Sequence, residues 1–63
     1  MLEIVIERWQ GLDGSVAYRW SLWADGRRVQ MGGPHGDAQA SLADAQAFCR
    51  DQLGRPADRV TEL

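Results

Sequence analysis

Val16-Ala17-Tyr18-Arg19-Trp20-Ser21-Leu22-Trp23-Ala24-Asp25-Gly26-Arg27-Arg28-Val29-Gln30-Met31 is the stretch whose reading settles the architecture. Both central residues of a type I′ turn need positive φ, and Asp25-Gly26 tolerates that best, so a two-residue hairpin is expected there. Such a turn fixes the pairing: Ala24 faces Arg27, Trp23 faces Arg28, Leu22 faces Val29, Ser21 faces Gln30 and Trp20 faces Met31. The run from Val16 to Ala24 alternates, with Val16, Tyr18, Trp20 and Leu22 on one side and Ala17, Arg19, Ser21 and Trp23 on the other. Turn and alternation agree, making Leu22–Val29 and Trp20–Met31 inner apolar pairs and Trp23–Arg28 and Ser21–Gln30 outer pairs.

Toward the N-terminus, Leu2 to Trp9 alternates in the same way, with Leu2, Ile4 and Ile6 on one face and Glu3, Val5, Glu7 and Trp9 on the other. This is a half-buried strand, joined to the next by the turn-rich Gln10–Ser15. Toward the C-terminus, Gly32-Gly33-Pro34-His35-Gly36-Asp37 packs three glycines and a proline into six residues, which predicts an irregular connector. Ser41, with Asp44 three residues on, reads as a helix N-cap, and Asp37 is a rival cap. The helix predicted over Leu42–Leu53 places Leu42, Ala45, Cys49 and Leu53 in one stripe, with Phe48 at its margin and Asp44, Arg50 and Asp51 pointing away. Gly54 supplies the left-handed stop and Pro56 prevents resumption. Arg59–Leu63 is either a short edge strand or a loose tail. The expected fold class is α+β, one domain over residues 1–63, a three-stranded antiparallel β-meander backed by one C-terminal α-helix.

Composition narrows the function classes. Sixty-three residues make one thin core, since a chain of this size buries only about 60% of its unfolded surface. The longest apolar run, Ile4-Val5-Ile6, is far short of the ~20 residues that cross a bilayer, and Glu3 and Glu7 flank it where a secretory signal would carry basic and apolar segments. No membrane partner and a cytoplasmic location are expected. Cys49 is the single cysteine, so no intrachain disulfide and no multi-thiolate metal site can form. Seven basic against nine acidic side chains give a net charge of −2, which disfavours the electrostatic footprint of nucleic-acid binders.

The outer face of the sheet carries the strongest candidate site: Trp9, Arg19, Trp23, Arg28 and Gln30, with Glu3 and Glu7 beside them. Tryptophan next to arginine is the composition of a binding hot spot. The plainer reading of the same residues is sheet stabilisation through cross-strand pairs, Trp23 with Arg28 and Glu7 with Arg19. Gly32–Asp37 precedes a helix, as anion-binding loops do, but lacks the Gly-Lys-Ser/Thr ending of a phosphate loop. His35 is the single histidine and has no nominated nucleophile, while Cys49 lies in the apolar stripe as a packed thiol. No catalytic residue, metal or cofactor is expected.

The segment Tyr18-Arg19-Trp20-Ser21-Leu22-Trp23, the Asp25-Gly26 turn, the Gly33 and His35 step, and Ser41-Leu42-Ala43-Asp44-Ala45 together resemble small bacterial β-β-β-α domains of the YegP type. That family has no assigned activity; many of its members carry two copies, whereas this chain has one and contains no lysine. The β-β-β-α order is also similar to the arm-binding domains of tyrosine recombinases and the plant ethylene-response DNA-binding domain, which set a sheet face into the major groove. That second resemblance implies DNA contacts by Arg19, Trp23 and Arg28, opposed by Glu3 and Glu7 on the same face. The expected function is a non-enzymatic interaction module that binds a protein partner or forms a homodimer through the outer sheet face or a strand edge. The alternative is a small DNA-binding domain.

Overall fold

Four strands and one helix make up the computed structural model, which describes all 63 residues: β1 (Leu2–Gln10), β2 (Val16–Ala24), β3 (Arg27–His35), α1 (Ala38–Phe48) and β4 (Arg59–Glu62). The sheet order is β3-β2-β1-β4, antiparallel except for the parallel pair of β1 with β4. The expected α+β meander with its helix is therefore present. The open alternative for residues 59–63 resolves as a fourth strand.

Asp25 and Gly26 adopt φ of 53° and 84°, the two positive values the hairpin requires. Ala24 pairs with Arg27 and Trp23 with Arg28, as expected, but there the simple register ends. Val29 is an extra residue in β3, so Leu22 pairs with Gln30, Ser21 with Met31 and Trp20 with Gly32. Because a one-residue slip exchanges faces, Met31 moves to the outer side and Gln30 to the helix side, the reverse of the expected arrangement. Val29 and Met31 are accordingly about half exposed, 52% and 53%.

Gly32 to His35, expected as irregular connector, belongs to β3. The cause is the Trp20 indole. A Cβ on residue 32 would stand 2.6 Å from that ring, so glycine lets the strand backbone run directly beneath it. A second register shift follows before Tyr18 pairs with His35, and the Gly33–Pro34 peptide within it is cis.

Asp37, not Ser41, caps α1: its backbone is extended and its Oδ1 accepts the Ala40 N–H at 2.7 Å. Ser41 instead lies one turn inside, fully buried against the sheet. After Phe48 the helix widens into a π-helical turn, Cys49–Leu53, closed by Gly54 at φ 69°. The wider turn changes the angular step per residue, so the apolar stripe holds at Ala45 and Cys49 but fails at Leu53, which is 44% exposed.

Leu2, Ile4 and Ile6 from β1, Trp20 and Leu22 from β2, and Ala45 and Cys49 from the helical segment form the core. Burying each large aliphatic side chain contributes roughly 1.5–3 kcal/mol. The small Ala45 lets the helix approach the sheet. Asp58 ties the chain back to β1: its Oδ2 accepts the Leu2 N–H, and its own N–H donates to the Leu2 carbonyl, both at 2.7 Å. That anchor delivers β4 alongside β1. No helix is long and apolar enough to cross a membrane.

Candidate interaction face

The helix covers one side of the sheet only. On the other side, cross-strand partners line up as rungs, because residues opposite one another share a face. The first rung reads Arg28–Trp23–Glu3–Arg59, the second Met31–Ser21–Val5–Thr61, the third Arg19–Glu7 and the fourth Ala17–Trp9. Charged and neutral rungs alternate along the strands.

Of the five residues that the sequence nominates, four lie on this face. Trp9 is 55% exposed at the end of β1. Arg19 is exposed and opposite Glu7, yet the two do not close to an ion pair. Arg28 is exposed and opposite Trp23. Trp23 lies back along its own strand, its Nε1–H donating to Ser21 Oγ at 2.9 Å, which leaves the indole half-buried and Ser21 beneath it at 6% exposure. Gln30 is the exception, carried to the helix side by the extra residue Val29. Met31 takes its place on the face, and Val5 and Thr61 complete the second rung. The sequence pattern could not flag Met31, since an apolar residue at alternate spacing reads as core until the bulge is known.

At the rim of the face, Glu3 Oε2 accepts hydrogen bonds from Arg59 Nε at 3.1 Å and Thr61 Oγ1 at 2.6 Å. Those bonds, the arginine first, hold the Glu3 carboxyl below the usual carboxylate range and raise Arg59 in return. Glu3 is thus engaged within its own chain. Arg19, Arg28 and Glu7 are the charged groups of the face left without a partner.

A second polar cluster, on the helix side, falls outside the nominated site. Asp44 was expected to point away from the sheet. Instead its Oδ2 accepts the Trp20 Nε1–H and meets His35 Nε2, each at 2.9 Å. An ionised carboxylate only accepts, so His35 carries its proton on Nε2. The His35 and Trp20 hydrogen bonds, in that order, lower the Asp44 pKa. His35 is therefore engaged with Asp44, while Cys49 is sealed in the core with its thiol pushed up by burial, as an inert packed cysteine is. No group of three or more His, Cys, Asp or Glu side chains converges as metal ligands would.

The concave feature of the surface is a cleft of about 270 Å³ on the helix side, lined by Ile6, Arg8, Tyr18, Ala38, Glu62 and Leu63. It falls below the roughly 300–1,000 Å³ of small-molecule sites. The open sheet face is the larger feature. No protein-family model, curated protein or solved structure matches this chain.

Proposed function

We propose that this domain is a non-enzymatic interaction module, binding a protein partner or a second copy of itself through the outer face of the sheet. The observation that carries the reading is the uncovered four-stranded face, on which Trp9, Met31 and the half-buried Trp23 stand beside the unpaired Arg19 and Arg28. Aromatic, methionine and arginine side chains are the types enriched at interface centres. The sealing of Cys49 in the core supports a non-catalytic role, because a buried thiol is a poor nucleophile.

The test compares the protein with its Trp9→Ser/Met31→Ser variant by light scattering and by capture of binding proteins on the immobilised domain. Association, with itself or with another protein, is expected in the parent and lost in the variant, while far-UV circular dichroism stays the same. Association that is absent from both, or equal in both, rejects the face as the contact surface.

DNA binding is the second reading, favoured by the placement of Arg19, Trp23 and Arg28 together on the outer face. Glu7 on that face and the net charge of −2 weigh against it. An electrophoretic shift that is strong at low salt and fades as salt rises would support it; no shift at low salt rejects it.

A further inference from the structure

If the outer face is the contact surface, as proposed above, its rungs carry enough pattern to name the occupant. We infer that the occupant is a second copy of this chain, laid face to face about a two-fold axis running parallel to the strands between β1 and β2. An in-plane axis could run in either of two directions, and the charges choose between them. An axis perpendicular to the strands through the second rung sets Glu3 of one copy against Glu7 of the other, twice over, and one between the second and third rungs sets Arg19 over Ser21 and Glu7 over Val5, leaving both charges without a partner. Like charges in a desolvated contact oppose association.

The axis parallel to the strands keeps every rung on itself and exchanges β1 with β2 and β3 with β4. Arg19 then meets Glu7 of the second copy, and Glu7 meets its Arg19, so two of the three groups left unpaired within one chain are satisfied between two. Trp9 lies over Ala17 of the second copy, a large side chain on a small one, and Met31 over Thr61. Trp23 covers the opposing Glu3, which its own Arg59 and Thr61 already hold. The like-charge meeting of Arg28 with Arg59 also occurs twice, but it falls at the outer ends of the first rung, where solvent screens it. Sheets packed in an aligned sandwich cross at about 30°, which offsets these rungs slightly and leaves the exchange of strands unchanged.

The two longer dimensions of the molecule, 38 and 21 Å, set the upper limit of the face, near the ~800 Å² that each partner contributes to a standard interface.

Sedimentation velocity on charge-reversed chains tests the pairing. The parent is expected to dimerise. Arg19→Glu alone gathers four carboxylates at the centre of the dimer, and Glu7→Arg alone gathers four guanidinium groups, so each is expected to weaken dimerisation on the order of 100-fold. An equimolar mixture of the two should form a heterodimer, because each copy then carries one sign against the other. Since Arg19 and Glu7 also neighbour each other within a chain, far-UV circular dichroism checks the fold, and the doubly swapped Glu7→Arg/Arg19→Glu chain should dimerise like the parent. A parent that stays monomeric at millimolar concentration overturns self-pairing, as does a folded mixture that does not assemble. If that same monomer still captures another protein through Trp9 and Met31, the face keeps its role and only the second copy is rejected.

Discussion

Strand β2 takes part in two hairpins that behave differently. With β1 it forms nine consecutive pairs, from Leu2 with Ala24 to Gln10 with Val16, without a break. With β3 it forms six pairs interrupted by two register shifts. The regular hairpin supplies five of the seven core residues, all by simple alternation. The irregular one supplies none from β3, yet it is where the helix is tied down, through Gly32 beneath Trp20 and through His35 reaching Asp44. Alternation builds the core, and departures from it position the junction between layers.

The comparison can be broken most severely from the regular side. Ile4→Ala removes a fully buried side chain opposite Leu22 in the nine-pair hairpin and should cost about 2–5 kcal/mol. A small core rarely supplies more than about 3–5 kcal/mol in total, so the variant is expected to be largely unfolded by circular dichroism at 25 °C. Gly32→Ala strikes the irregular hairpin by driving a methyl group into the Trp20 indole, at an expected cost of about 1–3 kcal/mol. Urea unfolding followed by tryptophan fluorescence measures it. Pairing the change with Trp20→Leu should recover part of the loss if the ring is the obstacle.

Asp44 sharpens the comparison with a smaller effect. Asp44→Ala leaves the Trp20 N–H without an acceptor in a side chain only 4% exposed, costing about 1–2 kcal/mol. Asp44→Asn retains an acceptor and should cost less. The pH dependence separates the two roles. The Asp44 carboxyl is lowered in the folded state by His35 and then Trp20, so its contribution is complete above the unfolded carboxylate value of about 3.9. It is lost as pH falls through the lower folded value. Thermal unfolding between neutral pH and pH 2 should show this acid loss in the parent and a shallower one in Asp44→Asn. Solvent access to Asp44 keeps the difference modest.

The regular hairpin was readable from sequence because local signals and alternation pointed the same way: Ile4 opposite Leu22, Ile6 opposite Trp20, and a turn at Asp25-Gly26. Gly54 announced the helix stop for the same reason. Where reading failed, tertiary contact overruled local preference. Val29 and Met31 alternate like core residues, and nothing local reveals that Val29 is surplus to the pairing. Gly32, Gly33 and Pro34 carry every mark of a loop, yet the strand continues because a buried indole needs a neighbour without a side chain. Four of the five nominated face residues followed from the correct parity of β1, β2 and the start of β3. Gln30 was lost one step beyond the bulge. The bond from Trp20 to Asp44 joins two residues 24 positions apart, a distance that neither periodicity nor capping rules span.

β4 is four residues long, charged at Arg59 and Glu62, and set beside β1, the strand that carries Leu2, Ile4 and Ile6 of the core. Without it, β1 would offer a bare row of amide and carbonyl groups along Leu2, Ile4 and Ile6, the kind of template on which other chains stack into aggregates. The short strand therefore acts as a guard rail: it contributes little bulk to the interior, and it denies foreign strands the one place where they would fit best. Loss of the Asp58 anchor should accordingly be felt first as poor solubility in the test tube, before any change in how the remaining three strands fold.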